Sequence, residues 1–416
     1  MSSMTTENVD TLIIGAGQAG VAMSEHLGKR GVPHLAVERG KIAQRWRAER
    51  WDSLVANGPA WHDRFPNRTF DKTAPDGFAP RAQIVDYFES YATQINMPIR
   101  CGVEIRHLRK AADGIGFEAE TADGTIRAQN VVVATGPFQK PSFPDIIPAE
   151  CDVLQMHSNS YKNPQQIADG GVLVIGAGSS GAQIADELRA SGRDVWLSVG
   201  PHDRPPRRYR GRDFVWWLGV LGLWDMKVPS PDTEHVTIAV SGAHGGHTVD
   251  FRDLAASGMT LLGRTESFEN GCLHFAQDLR KNIEGGDANY LSMLDAADAY
   301  VTANGLDLPE EPEARNIGAL PSCATDPILS LDLKAAGIKT VIWATGYKFD
   351  FSWIDIDVLD TRGAPRHDRG VSVVPGLYFL GLAWLSRRAS PFIWGVWHDA
   401  DYLGEHIADR RLALAG

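Results

Sequence analysis

The sequence predicts an α/β fold built on two mostly parallel sheets. The segment TLIIGAGQAG at 11–20 is a short apolar run closing on a glycine turn, and VLVIGAGSSG at 172–181 repeats it. Residues with helical spacing follow each copy, which gives the order strand, turn, helix. Each copy also has a matched later strand end, VVVATG at 131–136 and VIWATG at 341–346. Strands that alternate with helices favour parallel sheets, and a chain of 416 residues is too long for one core.

The first glycine turn has the spacing of a dinucleotide site in a Rossmann-like domain. Gly15 permits the turn, Gly17 leaves room for a pyrophosphate, and Gly20 lets the helix pack on the strand. The next strand ends in Glu38, whose carboxylate can accept both ribose hydroxyls of an adenosine. A glycine turn without a ligand is the alternative interpretation. The residues expected to contact this nucleotide are Gly15, Gly17, Gln18, Ala19, Gly20, Glu38 and Arg39.

The second glycine turn predicts a second nucleotide site with a different preference. Its following strand, 194–199, ends in Gly200 rather than in an acid, so nothing there repels a 2′-phosphate. The nearby run RPPRRYRGR supplies arginines that could bind that phosphate, which favours NADPH. A solvated arginine loop is the alternative. The expected contacts are Gly176, Gly178, Ser179, Ser180, Gly181, Arg204, Arg207 and Arg208.

The two Ala-Thr-Gly strand ends complete the repeat. Small residues let the chain leave a buried strand where a ligand or a crossing segment comes close. Two nucleotides on one chain indicate electron transfer between them, and the usual pair is FAD with a diffusible nicotinamide. The strand-end residues assigned to cofactor binding are Thr135, Gly136, Ala344, Thr345 and Gly346.

The chain resembles the class B flavoprotein monooxygenases, which comprise the flavin-containing monooxygenases, the YUCCA-like enzymes and, more distantly, the Baeyer–Villiger enzymes. The resemblance rests on both turns and on ERGKIAQRWRAERWDSL, ANGP, HSNSYKNP, WATGYKFD and the segment from PGLYFLGL to the end. It implies that NADPH reduces FAD, that O2 forms a C4a-hydroperoxyflavin, and that a small organic substrate is oxygenated, most readily at nitrogen or sulfur. In the family's identifying motif, Cys151 and Val153 replace Phe and Gly, whereas His157 and Tyr161 remain.

The resemblance also assigns roles to individual residues. Asn57 matches the active-site asparagine, with an Asn-Gly turn as the alternative. Trp46 lies in the segment that enters the flavin site, where core packing is equally compatible, and Arg81 matches a position near the cofactor, where a solvated arginine is equally compatible. His157 and Tyr161 are expected to orient the linker against NADP+.

Composition and order along the chain limit the organisation and the partners. We expect a FAD domain in two parts, 1–160 and 330–416, with an NADPH domain at 161–329 inserted between them. The net charge of −11 argues against nucleic acid, and no apolar run is long enough to span a membrane. Four scattered cysteines favour a reducing, cytoplasmic location without a disulfide framework or a metal site. A homodimer is left open.

Two further points remain open at this stage. The apolar stretch 214–224 is predicted to be a buried helix or an interface, with a substrate path or a membrane-surface patch as alternatives. The nearest rival functions are an NAD(P)H:flavin oxidoreductase or oxidase without oxygen insertion, a Baeyer–Villiger oxygenase, and a nucleotide-sensing regulator that retains the fold. The substrate depends on loops and pocket shape, which one sequence does not reveal.

Overall fold

The computed structural model describes residues 5–227 and 237–415. A nine-stranded sheet contains the first glycine turn, and parallel pairs form its centre. In spatial order its main strands are His367–Asp368, Val371–Ser372, Leu377–Phe379, Gly124–Val133, Thr5–Ile14, His34–Glu38 and Ile99–Cys101. Two further strands, Phe117–Glu120 and His107–Lys110, extend antiparallel from Gly124–Val133. The central strands are buried on both faces, as their continuous apolar sequence predicts.

Three helices cover the nine-stranded sheet. They are Gln18–Lys29, Arg81–Gln94 and the C-terminal helix Ile393–Ala415. The first and last pack closely, since the rings of His26 and Trp397 lie 4.5 Å apart. The C-terminal segment is therefore part of the same core as the first glycine turn.

A second sheet has five strands, all parallel, and contains the second glycine turn. Its spatial order is Thr260–Leu262, Val195–Ser198, Gly171–Ile175, Ile338–Trp343 and Leu154–His157. Its helices are Ser179–Ala190, Phe251–Ala256, Leu279–Asn304 and Ser322–Thr325. The predicted mostly parallel sheets are confirmed in both halves of the molecule.

Short elements connect and cover the two sheets. The remaining α-helices are Gln44–Ala48 and Phe214–Val220, and the 3₁₀ turns are Pro164–Gln166, Leu223–Asp225, Ala243–Gly245 and Pro312–Arg315. The remaining strands are Lys140–Pro141, His202–Asp203, Arg208–Tyr209, Arg212–Asp213, Thr237–Ile238, Val240–Ser241, His247–Thr248, Thr265–Glu269, Cys272–Phe275, Ser330–Asp332 and Tyr347–Lys348. Across the described ranges, none of the helices combines the length and the apolar character needed to cross a membrane.

Strand membership refines the domain limits expected from sequence. Leu154–His157 and Ile338–Trp343 both belong to the five-stranded sheet, although the predicted boundaries at 160 and 330 assigned them to the FAD domain. The chain therefore passes from the nine-stranded to the five-stranded sheet within 134–153 and returns within 344–366. These two connecting segments run side by side, because Lys140–Pro141 pairs antiparallel with Tyr347–Lys348. Apart from this shift, the division into three segments stays a prediction.

Candidate functional site: two glycine turns joined through Asn57

The first glycine turn has the geometry of an open phosphate cradle. Gly15 has φ +110°, and a Cβ there would lie 2.7 Å from the Ala134 carbonyl oxygen. A Cβ at Gly20 would lie 1.9 Å from the Gly15 carbonyl oxygen, so helix and strand touch at this point. A Cβ at Gly17 would meet nothing within 4 Å. Gly15 therefore makes the turn, Gly17 leaves space for a pyrophosphate, and Gly20 lets the helix pack on the strand.

Residues around the first turn fit an adenosine in different ways. The two Glu38 carboxylate oxygens accept the backbone N–H groups of Ala16 and Gly40, each at 2.9 Å. Each oxygen keeps a lone pair for a ribose hydroxyl, so Glu38 fits the predicted role. Arg39 is exposed and lies 4.0 Å from a carboxylate oxygen of Glu49.

Two residues of the first turn have structural partners. The Gln18 side chain donates to the Pro391 carbonyl oxygen at 3.1 Å, which ties the turn to the segment before the C-terminal helix. Ala19 is buried beneath Gly381, where an added Cβ would lie 2.7 Å from the Ala19 methyl carbon. The Ala19 side chain therefore serves packing, and its contact with the cofactor stays a prediction.

The second glycine turn repeats the backbone geometry but carries a partial cover. Gly176 has φ +102°, with its Cβ position 2.6 Å from the Ala344 carbonyl oxygen, and that of Gly181 lies 1.8 Å from the Gly176 carbonyl oxygen. Unlike Gly17, Gly178 has a neighbour: its Cβ position lies 3.3 Å from Cβ of Thr237.

The cover continues along the start of the second helix. The Ser179 hydroxyl donates to the Ile238 carbonyl oxygen at 2.7 Å, which holds the 237–238 segment against the turn. Ser180 is exposed beside it, so its hydroxyl and the helix N-terminus face solvent. Ser180 therefore fits the predicted phosphate contact better than Ser179 does.

The Ala-Thr-Gly strand ends serve mainly to admit the glycine turns. Ala134 and Ala344 present the carbonyl oxygens that Gly15 and Gly176 approach, and the chain then turns at Gly136 and Gly346, both with positive φ. The threonine hydroxyls engage the linkers. That of Thr135 accepts from Gln139 Nε2 at 3.1 Å, and that of Thr345 donates to the Ser142 carbonyl oxygen at 2.5 Å.

Arg204 is a buried ion-pair partner, which corrects its assignment to the 2′-phosphate. Its side chain is 4% exposed, and its guanidinium lies 2.8 Å from Asp287 and 3.1 Å from Asp250. The ring of Tyr290 covers it at 4.6 Å. A guanidinium already shared by two carboxylates and closed off from solvent does not reach a ligand phosphate.

Arg207 requires the same correction. Two of its nitrogens donate to Asp213 Oδ2 at 2.6 and 3.0 Å, and the rings of Phe78 and Phe214 lie on either side of it. Of the three predicted arginines only Arg208 is exposed, and it donates to the Gly245 carbonyl oxygen at 3.1 Å. The predicted arginine cluster is thus not a single phosphate site.

Asn57 connects the two halves of the molecule. Its side-chain oxygen accepts from Gln183 Nε2 at 3.0 Å, and Gln183 lies on the helix that follows the second glycine turn. Its main-chain oxygen accepts from Arg207 Nη1 at 2.7 Å. The next N–H, of Gly58, donates to Asp63 at 3.0 Å. Asn57, a residue of the first half, is therefore held by two residues of the second half, Gln183 and Arg207.

Trp46 and Arg81 both contact other parts of the protein. Trp46 packs against the hydrophobic cores of both sheets, which agrees with the core-packing alternative. The Arg81 guanidinium donates to the Arg50 carbonyl oxygen at 3.1 Å and to Asp52 at 3.0 Å. Those bonds hold the 47–52 segment, so Arg81 is not simply the solvated arginine of the alternative, and its contact with the cofactor stays a prediction.

His157 ends the strand Leu154–His157, and Tyr161 follows it in the core of the same half, while their predicted role toward NADP+ stays a prediction. His157 Nε2 donates to the Gly346 carbonyl oxygen at 3.0 Å, and burial lowers the pKa of this imidazole. The Tyr161 hydroxyl donates to Glu187 at 2.7 Å, and burial together with that carboxylate raises the pKa of the phenol. His157 thus ties its strand to the turn at Gly346, and Tyr161 ties the chain after that strand to the helix Ser179–Ala190.

The apolar stretch forms the buried helix that its sequence predicts. Phe214, Trp217 and Trp224 are buried, and Phe214–Val220 is helical. The Trp224 ring stacks on His62 at 5.3 Å and 19°, while His62 Nδ1 lies 2.8 Å from Asp63. The stretch thus packs against the loop that carries Asn57, through the contact of Trp224 with His62.

Sequence reasoning missed three features of this region. They are Gln183, the His62–Asp63 pair and the cover at 237–238. The pair left a signal, since an adjacent His and Asp follow Asn57 closely. Gln183 left only its position two residues after Gly181, and its partner lies 126 positions away in the sequence.

Comparison with known proteins identifies the family. The pyridine nucleotide-disulphide oxidoreductase family matches residues 12–209. An uncharacterized CzcO-like oxidoreductase of Geobacillus kaustophilus is 36% identical over 95% of this chain and 97% of its own length. The indole-3-pyruvate monooxygenase YUCCA1 of Oryza sativa subsp. japonica is 27% identical over 89% of this chain and 86% of its own. The chain belongs to the flavin-containing monooxygenase family. Within this family it groups with the CzcO-like oxidoreductases.

Solved structures agree with this membership at the level of the fold. A flavin-containing monooxygenase from Stenotrophomonas maltophilia aligns with a TM-score of 0.67 and 18% identity over 97% of this chain and 99% of that one. A bacillithiol disulfide reductase from Bacillus cereus aligns with a TM-score of 0.62 and 18% identity, over 97% of this chain and 100% of that one. The predicted pair of Rossmann-like domains is confirmed. As a family member, the chain is a flavin-dependent oxidoreductase whose cofactors are FAD and NADPH.

Proposed function

We propose that this flavin-containing monooxygenase consumes NADPH and O2 to oxygenate a nitrogen or sulfur atom of a small organic molecule. The observation that carries the proposal is the position of Asn57, a residue of the first half whose side-chain oxygen is held by Gln183 and whose main-chain oxygen is held by Arg207, both of the second half. Bound FAD would supply the redox chemistry, namely acceptance of a hydride from NADPH and reactivity of the reduced flavin toward O2. A neutral amide beside these ligands can donate a hydrogen bond without transferring a proton.

The chain's own residues divide the binding of the two nucleotides. The open space at Gly17, the N-terminus of Gln18–Lys29 and the Glu38 carboxylate would hold FAD. The N-terminus of Ser179–Ala190 and the exposed Ser180 would hold NADPH. The strand toward the second adenosine ends without an acid, which still favours NADPH after Arg204 and Arg207 are reassigned.

Two rival chemistries are less compatible with the residues. A flavin-linked dithiol reductase needs a pair of neighbouring cysteines, and all four cysteines of this chain are free. A Baeyer–Villiger enzyme would carry Trp where the family motif here ends in Tyr161, which favours nitrogen and sulfur over carbonyl substrates. An NADPH oxidase uses the same nucleotide sites, so experiment has to separate it from a monooxygenase.

The deciding experiment follows labelled oxygen. The purified, FAD-loaded protein is incubated with NADPH and ¹⁸O₂ and a panel of tertiary amines, thioethers and ketones. We expect one ¹⁸O atom in an N-oxide or sulfoxide, with one NADPH consumed for each product molecule. NADPH consumption matched by hydrogen peroxide with every substrate would show an oxidase, and a labelled ester as sole product would show the Baeyer–Villiger reaction.

A variant of Asn57 tests the residue that carries the proposal. Asn57→Asp keeps the shape of the side chain but replaces its N–H donor by an oxygen. We expect product formation to fall at least roughly tenfold, with FAD still bound, since losing one preorganised donor has effects of this size or larger. Asn316→Asp is the matched control, because Asn316 is exposed in the segment after the Pro312–Arg315 turn.

A further inference from the structure

The amide of Gln183 has only one orientation compatible with its neighbours. Its Nε2 lies 3.0 Å from Asn57 Oδ1 and 2.6 Å from the Val240 carbonyl oxygen. The Val240 carbonyl oxygen can only accept, so the Gln183 atom facing it must be the NH2 nitrogen. The Asn57 atom that faces the same NH2 group must then also be an acceptor, which is Oδ1. A flipped Gln183 would place its oxygen against two oxygens. The surroundings therefore fix which end of this amide faces Asn57.

That orientation in turn fixes the polarity of Asn57. Its Oδ1 is occupied by Gln183, its main-chain oxygen by the buried Arg207, and the N–H of Gly58 by Asp63. The remaining polar group of the side chain is the NH2. Asn57 can thus offer a ligand a donor, while its acceptor is directed toward the second half of the molecule.

We propose that Gln183 is a positioning residue that makes Asn57 a hydrogen-bond donor toward the reacting nucleotides. The inference depends on the proposed function only in placing those nucleotides beside Asn57. Because Gln183 lies in the first half of Ser179–Ala190, whose N-terminus would receive NADPH, the residue also connects occupancy of the second turn to the orientation of Asn57. The Arg207 side chain supports the same loop by donating to the main-chain oxygen of Asn57.

The test is Gln183→Glu. A carboxylate cannot donate, so Asn57 would turn its NH2 toward the introduced carboxylate and present its oxygen to the ligands. The Val240 carbonyl oxygen still faces the new carboxyl group and raises its pKa, and on protonation the group regains one donor. We expect anaerobic reduction of the flavin by NADPH to slow at least roughly tenfold at about pH 8 and to recover as the pH is lowered toward about 6.

Companion variants separate polarity from loss of structure. Gln183→Leu removes both hydrogen bonds without inverting Asn57, so its rate should fall less and should follow the pH profile of the unaltered chain. Gln94→Glu, at the exposed end of Arg81–Gln94, controls for added negative charge. The unaltered chain is measured at every pH, because it carries the same other charged and ionisable groups near Gln183. These groups are Asp63, Asp186, Arg207, Asp213, His247, Asp250 and Asp253.

Binding of NADP+, measured by calorimetry on the oxidised protein, gives a readout that is independent of turnover. Gln183→Glu should weaken it roughly tenfold at high pH and much less at low pH. Equal rates and affinities for Gln183→Glu and the unaltered chain at every pH would overturn the proposal, as would a loss that is the same at every pH. Flavin reduction requires no substrate oxygenation, so labelled product without this pH signature refutes Gln183 alone, and the signature without labelled product refutes oxygenation alone.

Discussion

Arg207 offers the sharpest test of how the arginine run is used. Arg207→Ala leaves the Asp213 carboxylate without its partner in a site where the guanidinium is 3% and the carboxylate 10% exposed. Breaking such a buried pair from one side costs about 3–5 kcal/mol. At roughly 2–4 °C for each kcal/mol in a domain of about 200 residues, a loss of about 4 kcal/mol lowers Tm by roughly 8–16 °C.

The assay combines thermal melting with nucleotide preference. Arg208→Ala is the matched control, since Arg208 is exposed and its loss should change stability by less than about 0.5 kcal/mol. Arg207→Met combined with Asp213→Asn should cost less than the sum of the two single changes, because no charge is left unpaired. If Arg207→Ala melted like the unaltered chain but lost its preference for NADPH over NADH, the ion-pair account would be wrong and the phosphate assignment would stand.

Three further predictions follow from the geometry. Gly20→Ala should prevent folding of the first half, since its Cβ would lie 1.9 Å from a carbonyl oxygen, whereas Gly17→Ala should fold and lower FAD affinity, as flavin absorbance after gel filtration would show. Tyr161→Phe removes the bond to Glu187 and should lower stability by about 1–2 kcal/mol in thermal melts, a result that an unchanged Tm would contradict. Burial lowers the pKa of His26 to about 4, below its unfolded value, so the folded state binds fewer protons. Stability should therefore fall from about pH 6.5 to about pH 4, by on the order of 2–3 kcal/mol, and His26→Gln should flatten that part of the profile.

The sequence predicted the glycine turns well because their determinants are local. The positions of Gly15, Gly17 and Gly20 set turn, opening and packing within six residues, and the structure shows each role at its expected place. The two parallel sheets follow from the same alternation of strand and helix. The membership of Ile338–Trp343 does not, because its neighbour in the sheet, Gly171–Ile175, is distant in sequence.

The arginine run and Asn57 show where sequence reasoning ends. Two of the acids that neutralise the run are Asp287, 83 positions from Arg204, and Asp213, six positions from Arg207. A cluster of charge in sequence says nothing about such partners, so a run of arginines predicts a phosphate site and a set of buried ion pairs equally well. Asn57 was predicted to be a site residue through resemblance alone. Only the three-dimensional structure shows that Gln183 is its hydrogen-bond partner.

The contacts of Thr237 and Ile238 near Gly178 should make the two turns differ in how fast they exchange a ligand. None of the described residues lies within 4 Å of the Cβ position of Gly17, so a ligand there would gain its contacts without displacing protein. Above Gly178, an arriving phosphate competes with the Thr237 side chain and with the bond from Ser179 to Ile238, and this competition lowers the net affinity. A weaker hold shortens the time for which a molecule stays bound. The first turn is thereby suited to a nucleotide that stays bound, and the second to a nucleotide that is exchanged in every catalytic cycle.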